Sequence, residues 1–229
     1  MINNELIKMV ALGLKDLIDD IVFVGGAFVN LYSTDIASRK LRYTDDIDCV
    51  IESIHLSDFN KFEERIRKSG FKNDISEGAP ICRYVYKGIK VDFLPTEGDI
   101  LGFRNRWYPD GFKNAIPYKL QEEIKIKIFN SVYFLASKLD AFWDRGRADF
   151  RLSTDFEDIV FLLDSRDELI NEIKDSELSV KKYILDKFRY LLEHSDLDEG
   201  IIAVVERDTG MERINLIKNK IREIASIEL

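Results

Sequence analysis

Three aspartates occupy positions where carboxylates could act together. The run Asp46-Ile47-Asp48-Cys49-Val50-Ile51 is apolar except for two acids at alternate places. In a strand, side chains alternate faces, so Asp46 and Asp48 project together while Ile47, Cys49 and Ile51 project the other way, into a core. Two carboxylates about 7 Å apart on one strand face form a clamp for a divalent cation. Asp92 lies between Val91 and Phe93 in a second apolar run, and Lys87-Gly88 before that run is a two-residue hairpin signal. A two-residue turn pairs Tyr86 with Ile89, and hence Arg83 with Asp92, giving that acid a cationic neighbour. Three carboxylates on adjacent strands suit two-metal phosphoryl transfer: one ion activates the attacking hydroxyl and the other neutralises a triphosphate and its leaving pyrophosphate. In that scheme Asp92 acts on the attacking hydroxyl, and Asp46 and Asp48 bridge the metals. Taken alone, however, Asp-x-Asp occurs on many surface strands, and chance placement outweighs a site.

Gly25-Gly26 alters that balance. The pair follows Ile21-Val22-Phe23-Val24, a β-branched strand signal, and precedes a helical stretch over about 27–34. Such a turn brings backbone close to a phosphate, with helix N–H groups directed at it. It is equally the ordinary form of a tight strand-to-helix turn, but here an acidic strand follows one helix later.

The other elements follow from periodicity and turn residues. The first 21 residues read as an amphipathic helix, 56–69 as a charged helix, and 81–86 with 89–94 as the hairpin ended by Pro95. Residues 124–129 alternate Ile and Lys, the period of an edge-like strand. From Ser131 onward the pattern is helical: 131–144, 154–163, then several amphipathic helices. The chain therefore reads as α+β, a mixed front half followed by a helical back half.

With 229 residues, 45% hydrophobic and 33% charged, the composition is that of a folded domain or two with a substantial core. No apolar run approaches the roughly 18 residues that span a bilayer, and the acidic first helix lacks a cleavage site, so no membrane association is expected. Cys49 and Cys82 lie in strand-like apolar runs and read as reduced core residues, consistent with a cytoplasmic protein. His55 and His194 stand alone and form no zinc motif. A net charge of −8 argues against a general nucleic-acid coat. The charge is uneven: residues 101–151 hold ten Lys/Arg and six Asp/Glu, a local +4 that leaves −12 elsewhere. On charge alone, solvated helix and strand faces explain that segment better than a phosphate-binding surface does. Within it, Arg104-Asn105-Arg106-Trp107-Tyr108 is either a base-stacking, phosphate-gripping acceptor contact or a hydrophobic staple with flanking surface charge.

Val24-Gly25-Gly26-Ala27-Phe28-Val29-Asn30-Leu31-Tyr32, followed by Arg42-Tyr43-Thr44-Asp45-Asp46-Ile47-Asp48, resembles the signature of polymerase-β-like nucleotidyltransferases. Within that superfamily the chain is most similar to the AbiEii/AbiGii-type nucleotidyltransferase toxins. The second half of the resemblance is Ala136-Ser137-Lys138-Leu139-Asp140-Ala141-Phe142 with Asp144-Arg145-Gly146-Arg147, then Ser153-Thr154-Asp155-Phe156-Glu157-Asp158-Ile159. It covers residues 24–163. The segment from Gly26 to Asp46 is longer than in minimal members and carries Ser38-Arg39-Lys40-Leu41-Arg42, an extra basic stretch.

The resemblance implies a nucleotidyltransferase fold, a small mixed sheet flanked by helices, over 1–125. It implies a mainly helical region over 126–229 that completes the nucleotide site. It implies metal binding and catalysis by Asp46, Asp48 and Asp92, with Mg²⁺ or Mn²⁺ as cofactor and an NTP as substrate. Nucleotide and phosphate would be held by Gly25, Gly26, Arg42, Thr44, Lys138 and Arg145. Lys138 and Arg145, seven apart, share one helix face. Arg83, Asp155 and Asp158 would support those groups or contact base and ribose; Asp155 also suits a helix N-cap. Arg104, Arg106 and Trp107, from the basic-aromatic run, are candidate acceptor contacts beside the staple reading of the same run. The implied acceptor is RNA, tRNA included, and the implied partner a cognate antitoxin in a toxin–antitoxin or phage-defence setting. Transfer to a protein or small-molecule hydroxyl, and a non-catalytic nucleotide-binding module, are the alternatives.

Overall fold

A computed structural model of the chain describes residues 2–34, 44, 46–53, 55–101, 104–144, 148–205 and 210–229. They are α+β, in two compact units. One comprises residues 1–28 and 41–130; the other comprises 29–40 and 131–229.

The first unit is built on a seven-stranded mixed sheet of order β3-β4-β5-β2-β1-β7-β6. The strands are β1 (Ile21–Val24), β2 (Asp46–Ile51), β3 (Lys72–Asn73), β4 (Arg83–Tyr86), β5 (Ile89–Pro95), β6 (Ile116–Gln121) and β7 (Ile124–Ile128). β2 lies between β1, antiparallel, and β5, parallel. Alternation on β2 is as read from the sequence: Ile47 and Cys49 are buried, while Asp46 and Asp48 are half-buried. On β5, Val91 and Phe93 are fully buried. Phe93 sits in an aromatic cluster with Phe62, Phe71 and Tyr84. Phe62 comes from helix α2 (Leu56–Lys68), whose buried stripe is Phe59, Phe62 and Ile66. That packing fixes one sheet face in the core and so directs Asp46, Asp48 and Asp92 to the other.

The 89–94 hairpin has the register that its two-residue turn implies, with Arg83 opposite Asp92 and Tyr86 opposite Ile89. Lys87 and Gly88 both have positive φ, 50° and 83°, as a type I′ turn requires. The Ile-Lys strand differs from its reading. β7 is interior, parallel to β1 and antiparallel to β6, and β6 is the edge. Its alternation marks one solvated face, with Lys125 and Lys127 exposed and Ile126 and Ile128 buried; a solvated face does not require an edge. The N-terminal helix α1 (Ile2–Leu14) ends earlier than its pattern suggests: Lys15 takes φ 55° and a 3-10 turn runs from Lys15 to Asp20. A short helix, α3 (Tyr108–Lys113), precedes β6.

In the second unit, α4 (Ser131–Asp144) is buried over most of its length, from Ser131 to Phe142. It packs with α5 (Thr154–Ser165), α6 (Leu169–Lys174) and α7 (Leu178–Glu193). α8 (Leu197–Val204) and α9 (Gly210–Ala225) complete the helices among the described residues. Phe142, Phe150 and Phe156 form its aromatic core. The segment after residue 28 joins this unit: Tyr32 packs on Phe134, and Thr34 N–H donates to the Ser165 carbonyl at 2.9 Å. No described helix is long and apolar enough to cross a membrane.

Candidate active site

The acidic residues converge near the middle of the sheet. Asp48 on β2 and Asp92 on β5 are direct register partners, and Asp46 precedes Asp48 on the same face. Ordinary strand alternation and a parallel pairing thus bring together acids 44 residues apart in sequence, counting from Asp48 to Asp92.

Arg83 enters this group from β4. Its Nε donates to Asp92 Oδ1 at 2.7 Å, and its Nη2 donates to both Asp92 Oδ2 and Asp46 Oδ2, each at 2.7 Å. The guanidinium grips Asp92 side-on and reaches across to Asp46. Hydrogen bonding to Asp92 raises the Arg83 pKa further above its ordinary value, so it is a permanent cation here. The hairpin register reveals the Arg83–Asp92 pair; the bridge to Asp46 is not visible in it. Nor does the sequence reading single out Lys90, an exposed residue on the same face and the register partner of Asp46.

The backbone behind Asp48 is close. Gly25 follows β1 with φ 85°, and a Cβ placed there would lie 2.0 Å from Asp48 Oδ2. Glycine is needed twice over, for the conformation and for the space. Gly25→Ala should cost on the order of 1–3 kcal/mol in backbone strain and also displace the Asp48 carboxylate. Gly88→Ala is the control, since Gly88 has φ 83° but nothing within 4 Å of an added Cβ. Denaturation midpoints should fall further for Gly25→Ala than for Gly88→Ala; equal losses would mean that the Asp48 contact is without consequence. Gly26 begins a 3-10 helix, Gly26–Tyr32, rather than an α-helix. Thr44 is half-buried and lines a small cleft with Leu6, Ile7, Ala27, Asp46 and Ile89.

Both thiols lie behind the acids. Burial, then the charges of Asp48 and Asp92, raises the Cys49 pKa well above its usual value; burial and Asp92 push Cys82 up to about 12. Neither thiol should react with a disulfide reagent such as DTNB at pH 8 in the native protein, and both should react in guanidinium.

The remaining sequence candidates lie on other elements. In the second unit, Lys138 Nζ is ion-paired with Asp155 Oδ1 at 2.8 Å and with Asp158 Oδ2 at 2.7 Å. Asp158 is wholly buried. The N-cap of α5 is Ser153, which accepts from Phe156 N–H at 3.3 Å, leaving Asp155 for the lysine. In the first unit, Trp107 is buried at 3% exposure with the Arg106 guanidinium over its ring, so the ring packs as core; Arg104 is exposed. Arg42 and Arg145 lie outside the described residues.

Among the described residues, no three of His, Cys, Asp and Glu are grouped so as to hold a metal as they stand. Asp46 and Asp92 instead hold a guanidinium, a cation of lower charge density. Three carboxylates in this register are hard oxygen donors of the type Mg²⁺ and Mn²⁺ require, so the donor set fits the ion in kind.

No family model matches the chain, and no curated protein matches it. Among solved structures, it is similar to a Helicobacter pylori protein whose nucleotidyltransferase assignment is provisional, at 14% identity and TM-score 0.46, covering 98% of this chain and 94% of that one. It is also similar to JHP933 from Helicobacter pylori, at 14% identity and TM-score 0.45, covering 95% and 89%. At that distance neither likeness fixes a chemistry.

Proposed function

We propose that the protein is a divalent-metal-dependent nucleotidyltransferase that moves NMP from an NTP to an acceptor hydroxyl. The observation that carries this reading is the register of β2 with β5, which sets Asp48 beside Asp92 with Asp46 on the same face. The chain's resemblance to polymerase-β-like nucleotidyltransferases rests on the same residues together with Gly25-Gly26.

Asp46, Asp48 and Asp92 would hold Mg²⁺ or Mn²⁺, which when bound supplies Lewis-acid stabilisation of the phosphoryl oxygens. Asp92, the most enclosed of the three, would orient the acceptor hydroxyl and take its proton. The acceptor oxygen forms its bond to the α-phosphorus as the bond from that phosphorus to the bridging oxygen breaks, and pyrophosphate leaves. Gly25 holds backbone against Asp48 without a side chain in the way. Lys90 adds positive charge to the same strand face, favourable to a polyanion. The acceptor we favour is RNA, because the segment 101–151 is basic in an otherwise acidic chain. A toxin–antitoxin or phage-defence setting, with a cognate antitoxin as partner, follows from the resemblance to AbiEii/AbiGii-type toxins.

The test is incubation with each α-labelled NTP, Mg²⁺ and total cellular RNA. The reading predicts label in RNA and release of pyrophosphate, both lost in Asp48→Asn and Asp92→Asn. Label found on a co-purified protein in place of RNA would redirect the acceptor. Transfer that survives both substitutions would refute the carboxylate centre.

A further inference from the structure

Arg83 makes three hydrogen bonds of 2.7 Å, all to carboxylates proposed to hold a metal. Its backbone is fixed: β4 lies between β3 and β5, Asp74 N–H donates to the Arg83 carbonyl at 3.0 Å, and Arg83 N–H donates to the Pro80 carbonyl at 3.0 Å. Only the side chain is free to change partners. Both Asp92 oxygens and one Asp46 oxygen are engaged, so a divalent ion on those oxygens would stand within about 4 Å of the guanidinium. Two cations at that separation in a half-buried cleft repel strongly, because little water screens them.

We infer that Arg83 is a tethered cation that occupies the carboxylate centre in the absence of metal and must be displaced when a divalent ion binds. This inference rests on the metal-centre reading above and deepens it. Arg83 then sets the metal affinity. When no metal is present the guanidinium offsets part of the negative charge of Asp46 and Asp92. Release has a definite direction. Asp46 is the exposed end of the bridge at 36%, against 10% for Asp92 and 18% for Arg83. The single bond to Asp46 is thus the one that gives way first, and the side-on grip on Asp92 is the one a metal must outcompete.

An arginine that only oriented Asp92 for a metal would act in the opposite sense, since its removal would weaken metal binding. The two roles therefore separate on the sign of one measurement. Mn²⁺ binding is followed by EPR for the unmodified protein and for Arg83→Gln, Arg83→Lys, Asp48→Asn and Arg83→Gln/Asp48→Asn. The expected result is Mn²⁺ binding tightened about tenfold or more in Arg83→Gln, an intermediate affinity in Arg83→Lys, and loss of the gain in the double variant. Arg83→Gln binding Mn²⁺ no more tightly than the unmodified protein, while Asp48→Asn abolishes binding, would overturn the tethered-cation role and leave the metal centre standing. Binding that ignores Asp48 in every protein would remove the metal-centre reading, and this inference with it. A second readout needs no substitution in the folded protein under test. In ¹⁵N-arginine-labelled protein, the Arg83 Nε–H resonance, assigned by its disappearance in Arg83→Lys, should shift on saturation with Mg²⁺; an unmoved resonance overturns the displacement.

Discussion

Lys138→Met lowers the stability of the helical unit by about 3–5 kcal/mol, the loss found when one partner of a buried ion pair is removed. The physical cause is Asp158. Its carboxylate is wholly buried, and Lys138 Nζ lies 2.7 Å from it and 2.8 Å from Asp155. Without the ammonium, Asp158 either stays ionised in a low-dielectric interior or takes up a proton, and both are costly. Lys138→Met/Asp158→Leu should recover a good part of the loss, because an apolar pair of similar volume needs no solvation. The measurement is guanidinium denaturation followed by the fluorescence of Trp143 on α4, with Trp107→Phe as background to remove the other of the two tryptophans. A phosphate ligand with no structural role would behave differently, with nucleotide affinity falling and the midpoint unmoved.

Under the proposed function, Asp48→Asn and Asp92→Asn should each lower nucleotidyl transfer on the order of 10³-fold, the scale of losing one preorganised electrostatic group at a reacting phosphate. The two should differ in stability. Asp92 carries the side-on pair with Arg83, so Asp92→Asn keeps one weaker bond to the amide oxygen, sets the amide NH2 against the other guanidinium N–H, and costs about 1–3 kcal/mol. Asp48 has no part in the Arg83 bridge, so Asp48→Asn should leave that contribution intact. Steady-state transfer assays with parallel denaturation curves separate the two effects. Equal rates for Asp48→Asn and the unmodified protein would contradict the account of that residue.

What the sequence made legible was local. Strand alternation places Asp46 and Asp48 on one face, and the Lys87-Gly88 turn sets Arg83 against Asp92 from sequence alone. Both are short-range rules with a period of two, so one turn or one apolar pattern decides them. The pairing of β2 with β5, which joins Asp48 to Asp92, is a long-range choice that no local pattern encodes. The bridge from Arg83 to Asp46 depends on that choice and was equally hidden. β6 escapes the sequence reading because Ile116-Pro117-Tyr118-Lys119 has a proline at its second position and alternates weakly; its place at the edge, where Pro is tolerated, explains why it forms nonetheless. Trp107 illustrates the ambiguity of an aromatic beside arginines: the same run suits a stacking surface or a hydrophobic staple with flanking surface charge, and the ring itself is buried at 3% exposure.

The central claim is that Asp46, Asp48 and Asp92 form one divalent-metal and triphosphate centre. Its most direct test is anomalous diffraction from crystals grown with Mn²⁺ and an NTP analogue carrying a non-transferable α,β-methylene link. The account predicts a manganese peak in contact with carboxylate oxygens of Asp46, Asp48 and Asp92, with the Arg83 guanidinium moved off Asp46. A crystal with the analogue bound elsewhere, no manganese at these carboxylates and Arg83 still bridging Asp46 and Asp92 would contradict it.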